Sequence, residues 1–200
     1  MSHQPPRTVE IVCHPATPTS VVRRIDVGVG MLRDGALRLR YFLDGEIDRI
    51  ALPPRGVAGR AERLWQHTCF EAFVARRDAL AYCELNFSPS EAWAAFGFSA
   101  YREGMSPISL QSDPAIAVSV SEDRLALEAI VGPEILLALP GASSLRLALS
   151  AVVEETDGRL SYWALAHPAE RPDFHHRDGF VLPLEYPDAD GAVAPGSQDE

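Results

Sequence analysis

Two glutamates lie in neighbouring apolar segments whose alternation is typical of β-strands. Glu71 belongs to Phe70–Val74, and Glu84 belongs to Tyr82–Phe87. A turn at residues 76–79 would join the two segments as an antiparallel hairpin. In the register that this turn predicts, the two glutamates lie directly opposite each other, and their Cβ atoms would be about 5 Å apart.

Alternation also assigns the side chains of this hairpin to two faces. One face is wholly apolar and is predicted to point into the core: Phe70, Ala72, Val74, Cys83, Leu85 and Phe87. The other face mixes acids, an amide and aromatic rings: Cys69, Glu71, Phe73, Tyr82, Glu84 and Asn86. Two opposed carboxylates are destabilising unless an arginine, a shared proton, a cation or ligand hydroxyls compensate. The alternative to such a site is a solvent-exposed outer face on which water screens the repulsion between the two acids.

Aromatic residues beside a few acids are typical of a site for a polar ligand. Trp65 precedes the first strand of the hairpin, Trp93 follows the loop after the second, and Trp163 lies in a late strand. An indole ring can pack against a sugar ring while its N–H donates a hydrogen bond. Each tryptophan could instead belong to the core or its edge.

The same carboxylates could act in a retaining glycosidase, where two such groups lie about 5–5.5 Å apart. Side chains that lie parallel on one strand pair do not flank a bond from opposite sides, so catalysis is not the preferred interpretation. Glu71, Glu84 and Asn86 together offer oxygens that could bind Ca²⁺.

The histidines show no spacing typical of a transition-metal site. His67 and Glu71 are four residues apart before and within a strand, so their side chains would not converge as they would on a helix. His175 and its neighbour His176 would point apart in an extended chain. His67, His167 and His175 are kept as candidate ligand contacts.

About ten short strands are predicted, with turn signals between them and at most one short helix, at Pro133–Leu139. This pattern indicates an all-β fold, an antiparallel two-sheet β-sandwich of the jelly-roll or immunoglobulin-like kind, over residues 1–186. The strands are expected at Val9–Cys13, Val21–Val29, Ala36–Leu43, Phe70–Val74, Tyr82–Phe87, Trp93–Phe98, Ala115–Val120, Leu125–Val131, Leu145–Val153, Leu160–Leu165 and Phe180–Leu184. Residues 53–63 are expected to be irregular, and residues 187–200 to be an acidic, disordered tail.

Composition and charge limit the classes of partner that the protein is expected to bind. The 200 residues suit one domain, are 46% apolar and carry a net charge of -10, which disfavours nucleic acids. No secretory signal and no membrane-spanning stretch is recognisable, and the three cysteines are expected to be reduced thiols. A cytoplasmic protein without a cofactor motif is predicted.

Three stretches resemble DOMON-like domains related to the family 9 carbohydrate-binding modules. The first carries Trp65-x5-Glu71-x-Phe73, the second runs from Tyr82 to Pro89, and the third from Pro172 to Phe180. The resemblance implies a β-sandwich with a cleft in which an aromatic pair holds a sugar ring while carboxylates and amides bind its hydroxyls.

Carried over by residue, Trp65 and Glu71 match the first motif. Trp163 would be the second aromatic wall, with His175 beside it. Glu84, Asn86 and Arg102 are placed by proximity, with Arg102 offsetting the paired acids.

The sequence therefore predicts non-catalytic binding of a saccharide or sugar-like metabolite. A hydrolase that uses Glu71 and Glu84, a haem or redox module, and a purely structural domain are the alternatives. Some DOMON relatives bind haem through Met and His. Met31 and Met105 lie outside the matched motifs, so haem is not expected.

Overall fold

The computed structural model describes residues 7–56, 58–137, 139 and 144–184. In that part of the chain there are thirteen strands and one short α-helix, α1, at Glu134–Leu137. The strands are Arg7–Cys13 (β1), Val22–Met31 (β2), Leu37–Gly45 (β3), Gly59–Arg60 (β4), Cys69–Arg76 (β5), Tyr82–Phe87 (β6), Ala92–Phe98 (β7), Ser106–Pro107 (β8), Ala115–Val120 (β9), Arg124–Val131 (β10), Leu145–Glu154 (β11), Leu160–Ala164 (β12) and Leu182–Leu184 (β13). Single 3₁₀ turns lie at Ile47–Arg49, Leu64–Gln66 and Arg177–Gly179.

The prediction of an all-β chain with at most one short helix is confirmed. The region expected to be irregular, residues 53–63, contains the two-residue strand β4. None of the described helices is long and apolar enough to cross a membrane. The predicted tail, residues 187–200, lies outside the described residues.

The described strands form one strongly curled sheet instead of two separate ones, in the order β4-β7-β6-β5-β11-β12-β1-β2-β3-β10-β9. Strand β8 pairs with β7, and β13 pairs with β11. The sheet is continuous because β1 changes partner along its length. Residues 7–11 pair with β2, whereas residues 12–13 pair with β12. The expected antiparallel pairing fails once, because β4 runs parallel to β7.

The two halves of the curled sheet face each other across a main core, to which both contribute. The ring of Tyr41 on β3 lies 4.9 Å from the ring of Phe70 on β5, measured between centroids. The Tyr41 hydroxyl donates to the backbone oxygen of Glu71 at 2.7 Å. Strand β5 is therefore fixed against the opposite half by apolar packing and by a buried hydrogen bond.

The face of the β5–β6 hairpin that points away from the main core is also packed. A second apolar group, the outer cluster, consists of Phe73, Tyr82, Ala94, Phe96, Phe98, Ala148 and Phe180. Phe174 and Phe180 belong to residues 165–181, the covering segment between β12 and β13, which brings them onto this face. The face of the hairpin that mixes acids, an amide and aromatic rings is thus buried under the chain's own residues.

The predicted assignment of hairpin side chains to two faces is confirmed, whereas the predicted register is wrong by two residues. Glu71 lies opposite Asn86, and Phe73 lies opposite Glu84. The first paired positions are Ala75 and Tyr82, so six residues form the connection instead of a tight turn. A slip by two keeps every side chain on its face, because the side-chain period of a strand is two.

Candidate functional site

A polar cluster lies on the outer face of the β5–β6 hairpin, beneath the covering segment. The exposed fractions of Glu71, Glu84 and Asn86 are 2%, 6% and 0%. The Asn86 amide Nδ2 donates to Glu84 Oε1 at 2.7 Å, and the Ser150 hydroxyl donates to Glu71 Oε2 at 3.4 Å. Glu71 Oε1 is buried without a hydrogen-bond partner in the described part of the chain. The two acids are diagonal neighbours, so they share one face without being directly opposed.

Burial governs the protonation of both acids. It raises the pKa of Glu71 well above its ordinary value of 4.5, and the charge of Glu84 raises it further, against a hydrogen bond from Ser150. Burial also raises the pKa of Glu84, although the hydrogen bond from Asn86 and the charge of Arg102 oppose the change. A buried carboxyl without full hydrogen bonding is more stable in its neutral form. The cluster therefore favours protonated carboxyl groups over two carboxylates.

Arg102 does not form an ion pair with the two acids. Its guanidinium binds the carboxylate of Asp173 at 2.9 Å instead. The Tyr101 hydroxyl donates to the other oxygen of Asp173 at 2.7 Å. The predicted compensation by Arg102 is therefore limited to its effect on the pKa of Glu84 across a distance, while its direct contact ties the loop after β7 to the covering segment.

His175 connects the covering segment to the polar cluster. The backbone N–H of Arg102 donates to the Tyr82 hydroxyl oxygen at 3.1 Å, and that oxygen lies 2.7 Å from His175 Nδ1. We assign the Tyr82 hydroxyl as the donor to Nδ1, which leaves the ring proton on Nε2. Nε2 lies 3.8 Å from Glu84 Oε2, beyond hydrogen-bonding distance. His175 therefore lies beside Glu84 without a direct hydrogen bond to it.

The His175 ring is enclosed by aromatic side chains. Its centroid lies 5.1 Å from Phe73 and 5.2 Å from Phe98, both in edge-to-face geometry, and Tyr82 stacks on Phe98 at 4.7 Å. Burial in this enclosure lowers the pKa of His175 to about 4, and the charge of Arg102 adds to the effect, while Asp173 opposes it. The imidazole is therefore neutral at neutral pH.

A cavity of about 480 Å³ opens at the end of the β5–β6 hairpin, and we call it the hairpin cavity. Its aromatic lining comes from Tyr82, Tyr101 and Phe180, and its polar lining includes His175, Arg146 and Arg177. Tyr101 is 54% exposed and stands at the rim. Small-molecule sites typically measure about 300–1,000 Å³, with apolar walls and a few placed polar groups. The hairpin cavity has that size and that composition.

Two of the three predicted tryptophan platforms lie in the main core. Trp93 is opposite Phe87, and Trp163 is opposite Ala151, so both side chains point inward. The Trp163 indole N–H donates to the Ser161 hydroxyl at 3.0 Å. Both side chains are buried, so the predicted pair of tryptophan walls around one cleft is not formed. Sequence alternation alone did not tell which face of the two strands is buried inside the curl.

The other predicted contacts are dispersed. Trp65 is half-buried over the outer cluster, with its ring 6.0 Å from Phe96 in edge-to-face contact. His67 Nδ1 lies 2.7 Å from Glu154 Oε2 at the surface. His167 Nε2 donates to the backbone oxygen of Val12 at 2.8 Å. Of the histidines predicted as ligand contacts, His175 is the one that lines the hairpin cavity.

The described part of the structure gives no evidence for the metal and cofactor sites that the sequence left open. Among the described residues, no group of three or more His, Cys, Asp or Glu side chains is arranged to hold a metal ion. Ca²⁺ binding by Glu71, Glu84 and Asn86 stays a prediction, as does the expectation that haem does not bind. The three cysteines are free thiols.

Sequence reasoning missed most of the hairpin cavity. Tyr101, Arg146, Arg177 and Phe180 come from three separate regions of the chain. Arg146 gave the one usable signal, because it interrupts the apolar run of β11 between Leu145 and Leu147. Its position on the same face as Glu71 depends on the pairing of β5 with β11, which strand patterns do not reveal.

No protein-family model and no curated protein matches this chain. Among solved structures, one from Bacteroides uniformis ATCC 8492, a protein for which carbohydrate binding has been proposed, is similar with a TM-score of 0.69 and 16% identity. The match covers 90% of this chain and 87% of the other. The two chains share a fold.

Two structures of a family 9 carbohydrate-binding module from Caldicellulosiruptor kristjanssonii are less similar to this chain than the Bacteroides uniformis protein is. The complexes with glucose and with cellotriose each have a TM-score of 0.42, at 10% and 9% identity. Each match covers 76% of this chain and 75% or 74% of the module. The relation to DOMON-like domains stays a prediction.

Proposed function

We propose that this protein binds a saccharide or a sugar-like metabolite in the hairpin cavity and does not transform it. The observation that carries the proposal is a cavity of about 480 Å³ whose lining joins tyrosine rings to arginine and histidine side chains. A sugar presents flat C–H faces and a rim of hydroxyls, so it needs both kinds of surface. Aromatic rings supply the first, and polar side chains supply the second.

Three of the lining side chains have distinct roles in this proposal. The exposed ring of Tyr101 packs against the sugar, while its hydroxyl stays bonded to Asp173. Arg146 donates to ligand oxygens. Arg177 fixes the cavity wall, because its guanidinium donates to the backbone oxygens of Arg77 and Ala79.

Glu71 and Glu84 act behind the cavity and not in contact with the ligand. His175 and Tyr82 line the hairpin cavity, and His175 lies 3.8 Å from Glu84, whereas neither glutamate is among the lining residues described. The sequence predicted direct contacts between these acids and ligand hydroxyls, whereas both side chains are buried at 2% and 6% exposure. The polar cluster positions the wall through His175.

The same geometry supports a binding role over hydrolysis. A glycosidase needs two carboxyl groups that reach the scissile bond. Glu71 and Glu84 lie on one face and are almost completely buried. The shared fold with a protein for which carbohydrate binding has been proposed agrees with a saccharide ligand.

A calorimetric titration against a panel of mono- and oligosaccharides tests this proposal. Aromatic packing contributes about 0.5–1.5 kcal/mol beyond buried area, so Tyr101→Ala should weaken binding about 2- to 13-fold. Phe42→Ala is the matched control, because Phe42 is a half-buried aromatic residue on the outer surface of the other half of the sheet and does not line the cavity.

Two results would count against the proposal. Failure of the whole panel to bind would remove the saccharide function. Equal weakening in Tyr101→Ala and Phe42→Ala would show that general loss of stability, and not lost stacking, lowers the affinity.

A further inference from the structure

The hairpin cavity is locally basic within an acidic protein. Four of the chain's 18 arginines line it, namely Arg76, Arg77, Arg146 and Arg177. Asp178 is the acidic side chain among the described lining residues. The whole chain carries a net charge of -10, so this concentration of positive charge opposes the overall balance.

Three of these guanidinium groups have no acidic partner among the residues that the structure describes. In the described part of the chain, Arg77, Arg146 and Arg177 form no ion pair with an acidic side chain. Within the described residues, Arg177 donates to the backbone carbonyl oxygens of Ala79 and Arg77, which hold the side chain in place without neutralising it. Elsewhere, seven described arginines form ion pairs with N–O distances of 2.6–3.3 Å: Arg24, Arg38, Arg40, Arg49, Arg102, Arg124 and Arg159.

Arg146 occupies the most informative position. It lies in β11 between Ala75 on β5 and Pro183 on β13, so neither cross-strand neighbour offers it a counter-charge. The residue is half-buried. A charge that is partly removed from water without a partner is costly, and a bound anion would offset that cost. The planar fork of a guanidinium also matches carboxylate and phosphate oxygens in a bidentate arrangement.

We infer that the ligand of the hairpin cavity is an acidic saccharide, whose carboxylate or phosphate group pairs with Arg146 while its ring packs against Tyr101. This inference rests on the proposed saccharide function and adds the charge class of the ligand. Arg77 and Arg177 extend the basic surface on which the anionic group approaches.

Calorimetric titration of matched sugar pairs tests the inference on the full chain. The pairs are galacturonate with galactose, glucuronate with glucose, and glucose 6-phosphate with glucose, and inorganic phosphate is titrated alone. Hydrogen bonds to charged groups are stronger than neutral ones, so at least one acidic sugar should bind about tenfold or more tightly than its neutral partner. The preference should shrink as the salt concentration rises.

Arg146→Gln should abolish the preference for the acidic sugar and should weaken the neutral sugars less, because the glutamine amide can still donate a hydrogen bond but carries no charge. Arg23→Gln, which changes an exposed arginine on β2 outside the cavity, should leave the preference intact. The carboxylate and phosphate pairs separate the two sources of negative charge, and a preference confined to one of them identifies that source.

The failures are distinguishable. If neutral and acidic sugars bind equally well, the inference is overturned and the saccharide function stands. If no sugar binds, both are overturned. If inorganic phosphate binds as tightly as the sugar phosphate, the ring contributes nothing, and the saccharide part of the inference is wrong.

Discussion

Phe73→Ala is expected to lower the free energy of unfolding by about 3–5 kcal/mol, the range measured for truncating a buried phenylalanine. Phe73 is 1% exposed and belongs to the outer cluster. Its ring is in contact with the rings of His175 and Phe180, whose centroids lie 5.1 Å and 6.2 Å away. Its removal would leave a void and would release the covering segment from the hairpin.

Urea denaturation at pH 7 measures this loss, with Phe42→Ala as the control. Phe42 is half-buried on the outer surface of β3, beside the guanidinium of Arg40 at 5.5 Å, so its truncation should cost clearly less. Similar small losses in both variants would mean that the outer face of the β5–β6 hairpin is solvated and that the covering segment is not packed on it.

Glu71→Gln is expected to raise the free energy of unfolding at pH 8 by on the order of 1 kcal/mol, because the amide is neutral in both states whereas the unfolded chain ionises the carboxyl freely. The raised pKa of Glu71 means that the folded chain binds its proton more tightly than the unfolded chain, whose pKa is near 4.5. Folded wild-type protein therefore loses stability as the pH rises above 4.5 towards the folded pKa. The amide cannot ionise, so this loss disappears in the variant.

His175 makes the free energy of unfolding depend on pH in the opposite direction to Glu71. The substitution Glu71→Gln should leave this contribution of His175 unchanged. The pKa of His175 is lowered to about 4 from an ordinary value of 6.5, so the unfolded chain takes up the proton first. Stability attributable to His175 is therefore lost as the pH falls from 6.5 towards 4. The variant should fall in stability on the acid side. On the alkaline side it should lose less stability than the wild type, because Glu84 is then the one buried acid of the pair that can still ionise.

Denaturation curves recorded from pH 5 to pH 9 test both slopes. Glu62→Gln changes an exposed acid and should alter the stability by no more than about 0.5 kcal/mol at any pH. Lower stability of Glu71→Gln at pH 8, with the alkaline slope unchanged, would show that the carboxylate is charged and stabilised in the folded protein.

The sequence predicted the two faces of the hairpin because alternation survives an error in register. Glu71 and Glu84 share a face whether the pairing is displaced by two residues or not. The register itself depends on the length of the connection, and strand β5 continues to Arg76 while β6 begins only at Tyr82. Turn residues at positions 77 and 78 suggested a tighter hairpin than the chain forms.

The burial of the outer face could not be predicted from the hairpin alone. It depends on residues almost a hundred positions away, since His175 and Phe180 pack onto Phe73 and Tyr82. The tryptophans show the same limit. The residues on either side of Trp163, Tyr162 and Ala164, do not indicate which face of the strand is buried. Only the pairing of Trp163 opposite Ala151 places it in the main core.

The single curled sheet has a similarly non-local cause. Strand β1 looks like any short strand in the sequence, yet it pairs with β2 at one end and with β12 at the other. Such a change of partner leaves no pattern in the seven residues concerned. The hairpin cavity follows from that curl, from the β5–β11 pairing and from the covering segment together.

A crystal structure of the protein with the tightest-binding saccharide of the panel tests the central claim most directly. The account predicts a sugar ring packed against Tyr101 in the hairpin cavity, hydrogen bonds from Arg146, and His175 still bonded to Tyr82. A sugar bound on another surface, or one that displaces His175 and contacts Glu71 and Glu84 directly, would contradict it.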